Sequence, residues 1–112
     1  RTVQRPSPRA TLRARKTSTQ LVIVEGALSG TVVPLGSSPI IIGRASDATI
    51  VLDDDFVSTH HARLTPNGNH WIVEDLGSTN GTYIDKTRVS TPTVFKPGTQ
   101  LRIGKTSMEL SS

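Results

Sequence analysis

The sequence predicts an all-β domain, an antiparallel sandwich or barrel. Two observations carry this. From Gln20 onward, short segments rich in β-branched residues recur at intervals of about 8–12 residues. Between them fall clusters of turn formers, PNGN at 66–69, GSTNG at 77–81 and KPG at 96–98.

Taken in order, QLVIVE (20–25) and GTVVPL (30–35) flank GALS, which suits a hairpin with a short loop. PIIIGR (39–44) is a brief apolar run ending in glycine, consistent with a strand buried on both faces. TIVL (49–52), HARLT (61–65), HWIVED (70–75), TYID (82–85), QLRIG (100–104) and SMEL (107–110) follow as further strands. Trp71 and Val73 alternate with Ile72, and Leu101 with Ile103, as half-buried strands require, so Trp71 reads as packing and His70 as a solvated residue. One segment resists. Phe56, Val57, His60, His61 and Leu64 recur at helical spacing between Gly43 and Pro66. The β-branched Ile50, Val51, Val57 and Thr59 and the Asp53–Asp55 triplet favour strand and loop instead.

The 112 residues allow one domain, and the absence of cysteine excludes disulfides, thiolate metal sites and cysteine nucleophiles. The net charge of +4 is unevenly divided. Residues 1–18 hold six cations and no acid, whereas the remainder holds seven cations against nine acids. Rich in Arg, Pro, Ser and Thr, residues 1–18 bury too little surface to offset ordering entropy, so a disordered basic tail or linker is expected there, with residues 19–112 as the folded domain. A plain linker is the simplest role for the tail, with attraction to anionic lipid headgroups or nucleic acid as alternatives. It carries no aromatic residue, so it lacks the stacking platform of a single-strand binder, and no nucleic-acid partner is expected. The tail's own Thr17, Ser18 and Thr19 lie beside Arg15 and Lys16 as candidate sites of phosphorylation.

Functional groups are densest in DDDFVSTHHARL (53–64), and three chemistries are open to it. His60, His61 and one of Asp53 to Asp55 are the right types for zinc. Adjacent strand residues point to opposite faces, however, so the two histidines cannot readily share an ion. Ser58, His61 and an aspartate are the groups of a hydrolytic triad. Triad members converge from distant segments, and no glycine-flanked elbow surrounds Ser58. Phosphate binding is the third. Arg44, just past a strand end and after Gly43, offers a bidentate fork, and GSTNGT (77–82) supplies hydroxyls, an amide and backbone N–H groups. Singly, Arg44 is a solvated loop arginine and Asn80-Gly81 a turn needing positive φ. Together, Gly-Arg, Ser-x-x-His and Ser-Thr-Asn-Gly at three successive strand ends favour a phosphate pocket.

With those residues in order, the span from about Gln20 to Leu110 resembles a forkhead-associated (FHA) domain. The carrying motifs are Gly43-Arg44, Ser58-Thr59-His60-His61 and Gly77-Ser78-Thr79-Asn80-Gly81-Thr82. The resemblance implies a two-sheet β-sandwich of roughly eleven strands. It also implies a non-enzymatic reader of phosphothreonine peptides that needs no cofactor or metal, the alternative being a scaffold or interaction domain whose phosphate pocket is not used. By the same resemblance Arg44 pairs with the phosphate, Ser58 donates its hydroxyl, and Thr59 and Thr79 complete the pocket. Asn80 holds the main chain of the peptide. His61 braces the loop carrying Ser58, while Gly43 and Gly81 shape the backbone. Phe56 is a candidate specificity contact, and Asp53 to Asp55 are expected to solvate the start of their loop. Arg63 is either part of a basic rim or an ordinary outward strand residue.

The layout is also similar to small actinobacterial proteins of this family that serve kinase signalling in cell-wall growth and division. That similarity implies a monomeric adaptor whose partners are phosphorylated Ser/Thr kinases or their substrates. It implies a cytoplasmic location, tethered to the inner membrane face by a segment outside this sequence.

Overall fold

Apolar residues at alternate positions build the two inner faces of a sandwich. The computed structural model describes residues 20–111, and the expected disordered tail over 1–18 lies outside the described residues. In chain order the strands are β1 (Gln20–Glu25), β2 (Val32–Pro34), β3 (Ile40–Gly43), β4 (Ile50–Val51), β5 (Ala62–Asn67) and β6 (His70–Asp75). β7 (Thr82–Ile84), β8 (Thr87–Arg88), β9 (Thr93–Phe95), β10 (Leu101–Ile103) and β11 (Thr106–Ser111) complete them. They form a six-stranded sheet in the order β2-β1-β11-β10-β7-β8 and a five-stranded sheet in the order β4-β3-β5-β6-β9. The all-β class is therefore the one the residue pattern predicts, and the two sheets and eleven strands are those the resemblance implies.

Leu21, Ile23, Leu101, Ile103, Met108 and Leu110 cover the inner face of the larger sheet. Ile40, Ile42, Leu64, Trp71, Val73 and Phe95 cover that of the smaller. Burying each such side chain contributes about 1.5–3 kcal/mol, which is what two sheets without disulfides have to hold them together. Trp71 is buried and sits in register between Pro66 on β5 and Phe95 on β9, a packing residue as its alternation indicated.

Several details differ from the sequence expectation. β3 is buried on one face, because Ile40 and Ile42 point inward while Ile41 is only half-buried. β3 and β4 run parallel, with Ile42 opposite Ile50 and Gly43 opposite Val51. A parallel pair usually needs a long crossover. Here β4 has two residues, so the 44–49 loop has only a short distance to return. β8 and β9 are strands that the sequence reading did not find. Each has two or three residues, too few to show a period, and both are edge strands. The helical spacing around Phe56 to Leu64 yields no helix: residues 52–61 form an irregular loop, and Ala62 begins β5.

Removing the largest core side chain tests this packing. Trp71→Ala should destabilise the domain by about 3–5 kcal/mol. In urea unfolding the midpoint should fall with the slope nearly unchanged.

Candidate functional site

The loops after β3, after β4 and after β6, with the β10–β11 turn, are tied to one another at one end of the sandwich. The first tie is made by the backbone. Arg44 N–H donates to Ser58 O at 3.0 Å and Ala45 N–H to Thr59 O at 3.0 Å, while His61 N–H donates to Ile42 O at 2.8 Å. The approach is so close that a Cβ on Gly43 would lie 2.1 Å from Thr59 O. Any side chain there would push the two loops apart. Glycine is required by proximity at this position, since its φ is not in the positive range.

His61 makes the second tie. It is fully buried, and its Nδ1 receives the Ser58 backbone N–H at 3.0 Å. A nitrogen that accepts carries no proton, so the ring hydrogen sits on Nε2 and is donated to Gly81 O at 2.8 Å. One neutral imidazole thus links the loop after β4 to the loop after β6. Gly81 itself has φ 91°, and a Cβ there would press on Tyr83 and on the Arg88 guanidinium at 3.1–3.2 Å.

Two aspartates lock the loops from behind. Asp75, at the end of β6, accepts from Gly77 N–H at 2.9 Å and Ser78 N–H at 2.8 Å. It also accepts from the hydroxyls of Ser78 and Thr82. Burial alone would raise its carboxyl, but the Ser78 and Thr82 hydroxyls and the Ser78 and Gly77 backbone N–H groups outweigh this and hold it below the usual range. Asp54 accepts from Phe56 N–H and Lys105 N–H, each at 2.8 Å. Those two bonds, with the positive charges of Lys105 and Arg44, hold it low against a slight burial effect. Asp54 therefore clamps its loop to the β10–β11 turn, where Gly104 leaves the space its carboxylate occupies. The expectation that all three aspartates merely solvate the loop is corrected for Asp54.

With backbones engaged on the inner side, polar side chains remain on the outer one. Arg44, Ser58, Thr59, Thr79 and Asn80 line one open depression, together with Phe56 and Gly77. Arg44 is exposed, and no salt bridge among the described residues engages its guanidinium. Ser58 Oγ accepts Thr79 N–H at 3.1 Å, which leaves the Ser58 hydroxyl hydrogen to donate outward. Because Thr79 N–H is spent in that bond, the Thr79 hydroxyl is the donor it can offer a ligand. Asn80 Nδ2 donates to Phe56 O at 3.0 Å, leaving its Oδ1 to accept. Phe56 is 49 % exposed at the rim.

The competing chemistries find other geometry. His60 Nε2 lies 3.0 Å from Asp47 Oδ1 on the surface, while both nitrogens of His61 are bonded to backbone in the interior. The two histidines point apart, and among the described residues no cluster of metal-ligating side chains forms. His61 meets the Ser58 backbone rather than its hydroxyl, so it is not placed to take that hydroxyl's proton. Arg63 reaches across to Glu74 with Nε at 3.0 Å and Nη2 at 2.9 Å, an ordinary cross-strand pair. The sequence reading gave no role to Asp75 or Gly104, took Asp54 only as one of three loop aspartates and quoted Ser78 only within its motif. A signal existed for the aspartates, each of which accepts a backbone N–H two residues ahead as such residues do in turns.

A model of the FHA domain matches residues 40–104. The chain belongs to the FHA domain family. β1 and β11 both lie outside that matched span, yet they pair with each other within the larger sheet. The FHA domain-containing protein FhaB of Mycolicibacterium smegmatis is 56 % identical over 96 residues, covering 86 % of this chain and 62 % of the relative. The chain thus spans less than two thirds of that relative's length. Among solved structures, the FHA domain of CT664 from Chlamydia trachomatis superposes with a TM-score of 0.77 at 26 % identity, covering 83 % of this chain and 95 % of that one. EmbR of Mycobacterium tuberculosis, in complex with a low-affinity phosphopeptide, superposes with a TM-score of 0.76 at 27 % identity, covering 91 % of this chain and 28 % of that one.

Two outcomes check the loop scaffold of this FHA domain. Gly43→Ala should cost about 1–3 kcal/mol in chemical unfolding, because the 58–60 backbone has to move. Asp54 and Asp75 are held low in the folded state, so the stability they provide is present above about pH 4 and lost as pH falls through their folded values. Asp75→Asn should lower the melting temperature at pH 7 and flatten its decline below about pH 4.

Proposed function

We propose that this FHA domain reads phosphothreonine segments, acting as a binding module and not as an enzyme. One observation carries the reading: Arg44, Ser58, Thr59, Thr79 and Asn80 face a single open depression whose loops are already braced from behind. FHA domains bind phosphothreonine peptides, and EmbR, a structural relative, is known in complex with a phosphopeptide. In the proposed complex the Arg44 fork takes two phosphate oxygens, and Ser58 Oγ–H with the Thr59 and Thr79 donors takes the rest. Asn80 Oδ1 accepts a main-chain N–H of the peptide. Charge-assisted bonds contribute about 1.5–3 kcal/mol each. Three of them with the main-chain contacts, less the cost of ordering the peptide, suggest affinity near micromolar, about −8 kcal/mol.

The partners proposed are phosphorylated Ser/Thr kinases or their substrates, with the domain serving as a monomeric adaptor in kinase signalling for cell-wall growth and division. Membership of the FHA family supports the adaptor part of this role. We further propose a cytoplasmic location, tethered to the inner membrane face by a segment outside this sequence. Among the described residues no helix is long and apolar enough to cross a membrane.

Isothermal titration with matched phosphothreonine, phosphoserine and unmodified peptides tests the reading. The phosphothreonine peptide should bind near micromolar and the unmodified one at least about a hundredfold more weakly. Arg44→Ala should abolish most of that difference without lowering the melting temperature. Binding that survives loss of the phosphate would overturn it.

A further inference from the structure

We propose a second binding site, at the end of the sandwich remote from the phosphate depression, for a small carboxylate with an apolar body, such as a medium-chain or aryl carboxylate. The inference goes beyond the function proposed above and does not depend on it.

A cavity of about 380 Å³ opens there, walled by Trp71 on β6, Phe95 on β9 and Leu110 on β11. β6 and β9 belong to the smaller sheet and β11 to the larger, so the cavity lies in the mouth between the two. From Trp71, β6 runs roughly 13 Å, at about 3.3 Å per residue, before it reaches Asp75 behind the phosphate loops. β11 likewise starts at the β10–β11 turn and ends at this mouth. The cavity shares no lining residue with the depression of Arg44, Ser58 and Asn80. Ligand pockets span about 300–1,000 Å³, so this one suits a small occupant.

The walls define both halves of that occupant. Trp71, Phe95, Pro97 and Leu110 present apolar surface, which a hydrocarbon or aromatic body covers. The polar groups favour an acceptor. Lys96 is exposed, and among the described residues no salt bridge holds it. The lining contains no Asp or Glu, and Asn69 and His70 beside Lys96 can also donate. Trp71 Nε1 is buried and finds no acceptor among the described residues. An indole N–H only donates, and a buried donor is normally paired. Packing alone does not call for that group, since phenylalanine would present an aromatic face without it. A carboxylate is acceptor-only and has two oxygens, one for the Lys96 ammonium and one for the indole. Because Nε1 is sealed from solvent, a ligand parts the side chains over it, and its arrival alters the surroundings of Trp71. An amine of equal length would meet the Lys96 charge and leave the indole donor unpaired.

Trp71 is the chain's one tryptophan, so its fluorescence reports on this cavity. The full chain is titrated with sodium octanoate and with octylammonium chloride, each below its micelle concentration. Octanoate should give a saturable change with a dissociation constant of roughly 0.1–1 mM, in keeping with about ten non-hydrogen atoms. Octylammonium should bind at least about tenfold more weakly. Lys96→Gln should weaken octanoate about three- to tenfold at an unchanged melting temperature, as expected for one partly exposed ion pair. Arg44→Ala should bind octanoate as the parent does. Trp71→Phe keeps an aromatic ring and removes the N–H; by isothermal titration it too should bind octanoate about three- to tenfold more weakly. If that variant fails to fold, Lys96→Gln carries the test. No saturable change, an equal response to octylammonium, or binding indifferent to Lys96→Gln or to a folded Trp71→Phe would overturn the site. Loss of octanoate binding in Arg44→Ala would overturn it as well, by assigning the carboxylate to the phosphate depression. None of these results bears on phosphothreonine reading, which the phosphopeptide titrations test separately.

Discussion

The site depends on one buried imidazole. His61 takes the Ser58 N–H on Nδ1 and gives its Nε2 hydrogen to Gly81 O, so a single ring sets the distance between two loops that lie far apart in sequence. A hydrogen-bonding ring serves here better than an apolar side chain of similar size. Both backbone groups would otherwise be enclosed without a partner, and an unsatisfied buried polar group costs about 1–3 kcal/mol. The ring has to be neutral and in one tautomer to serve both. Its position just before β5 explains how it stays in register, since its own N–H and C=O are bonded to Ile42 and Leu76.

Around that link the loops follow one rule: what faces the core is satisfied by the protein, and what faces water is left for a ligand. Asp75 gathers the start of the loop after β6, and Asp54 ties the loop after β4 to the β10–β11 turn. Ser78 Oγ passes the constraint on by accepting Gly81 N–H at 2.9 Å. Charged acceptors suit this work because hydrogen bonds to a carboxylate are stronger than neutral ones. A ligand phosphate then meets donors whose backbone positions are fixed beforehand, so less ordering has to be supplied at binding. Phe56 holds its place through its own N–H and C=O, to Asp54 and Asn80, which leaves its ring at the surface.

Legibility in the sequence tracked the range of the interaction. The alternation through Trp71 and Val73 and the turn read at 66–69 report local geometry; the first was read correctly, and the turn lies at Gly68–Asn69 because β5 runs on through Asn67. The motifs around Arg44, Ser58 and Asn80 were readable because side chains that face solvent at strand ends have few structural reasons to combine in that way. β8 and β9 were not legible, being shorter than the period that would identify them. Nor was Asp54, one of three identical neighbours: which of the triplet turns inward depends on where Lys105 lies, 51 residues further on.

By itself, then, the sequence determined the all-β class, the order of the strands it found and the identity of the polar groups at one end. These follow from residue type and from periods of two to a few positions, which any short window contains. Tertiary structure alone decided that Gly43 is required by the approach of Thr59, that His61 carries its hydrogen on Nε2, and that Trp71, Phe95 and Leu110 wall one cavity. Each of these depends on groups brought together by the pairing of distant strands. The energies that select such pairings belong to the packed core and not to the local chain.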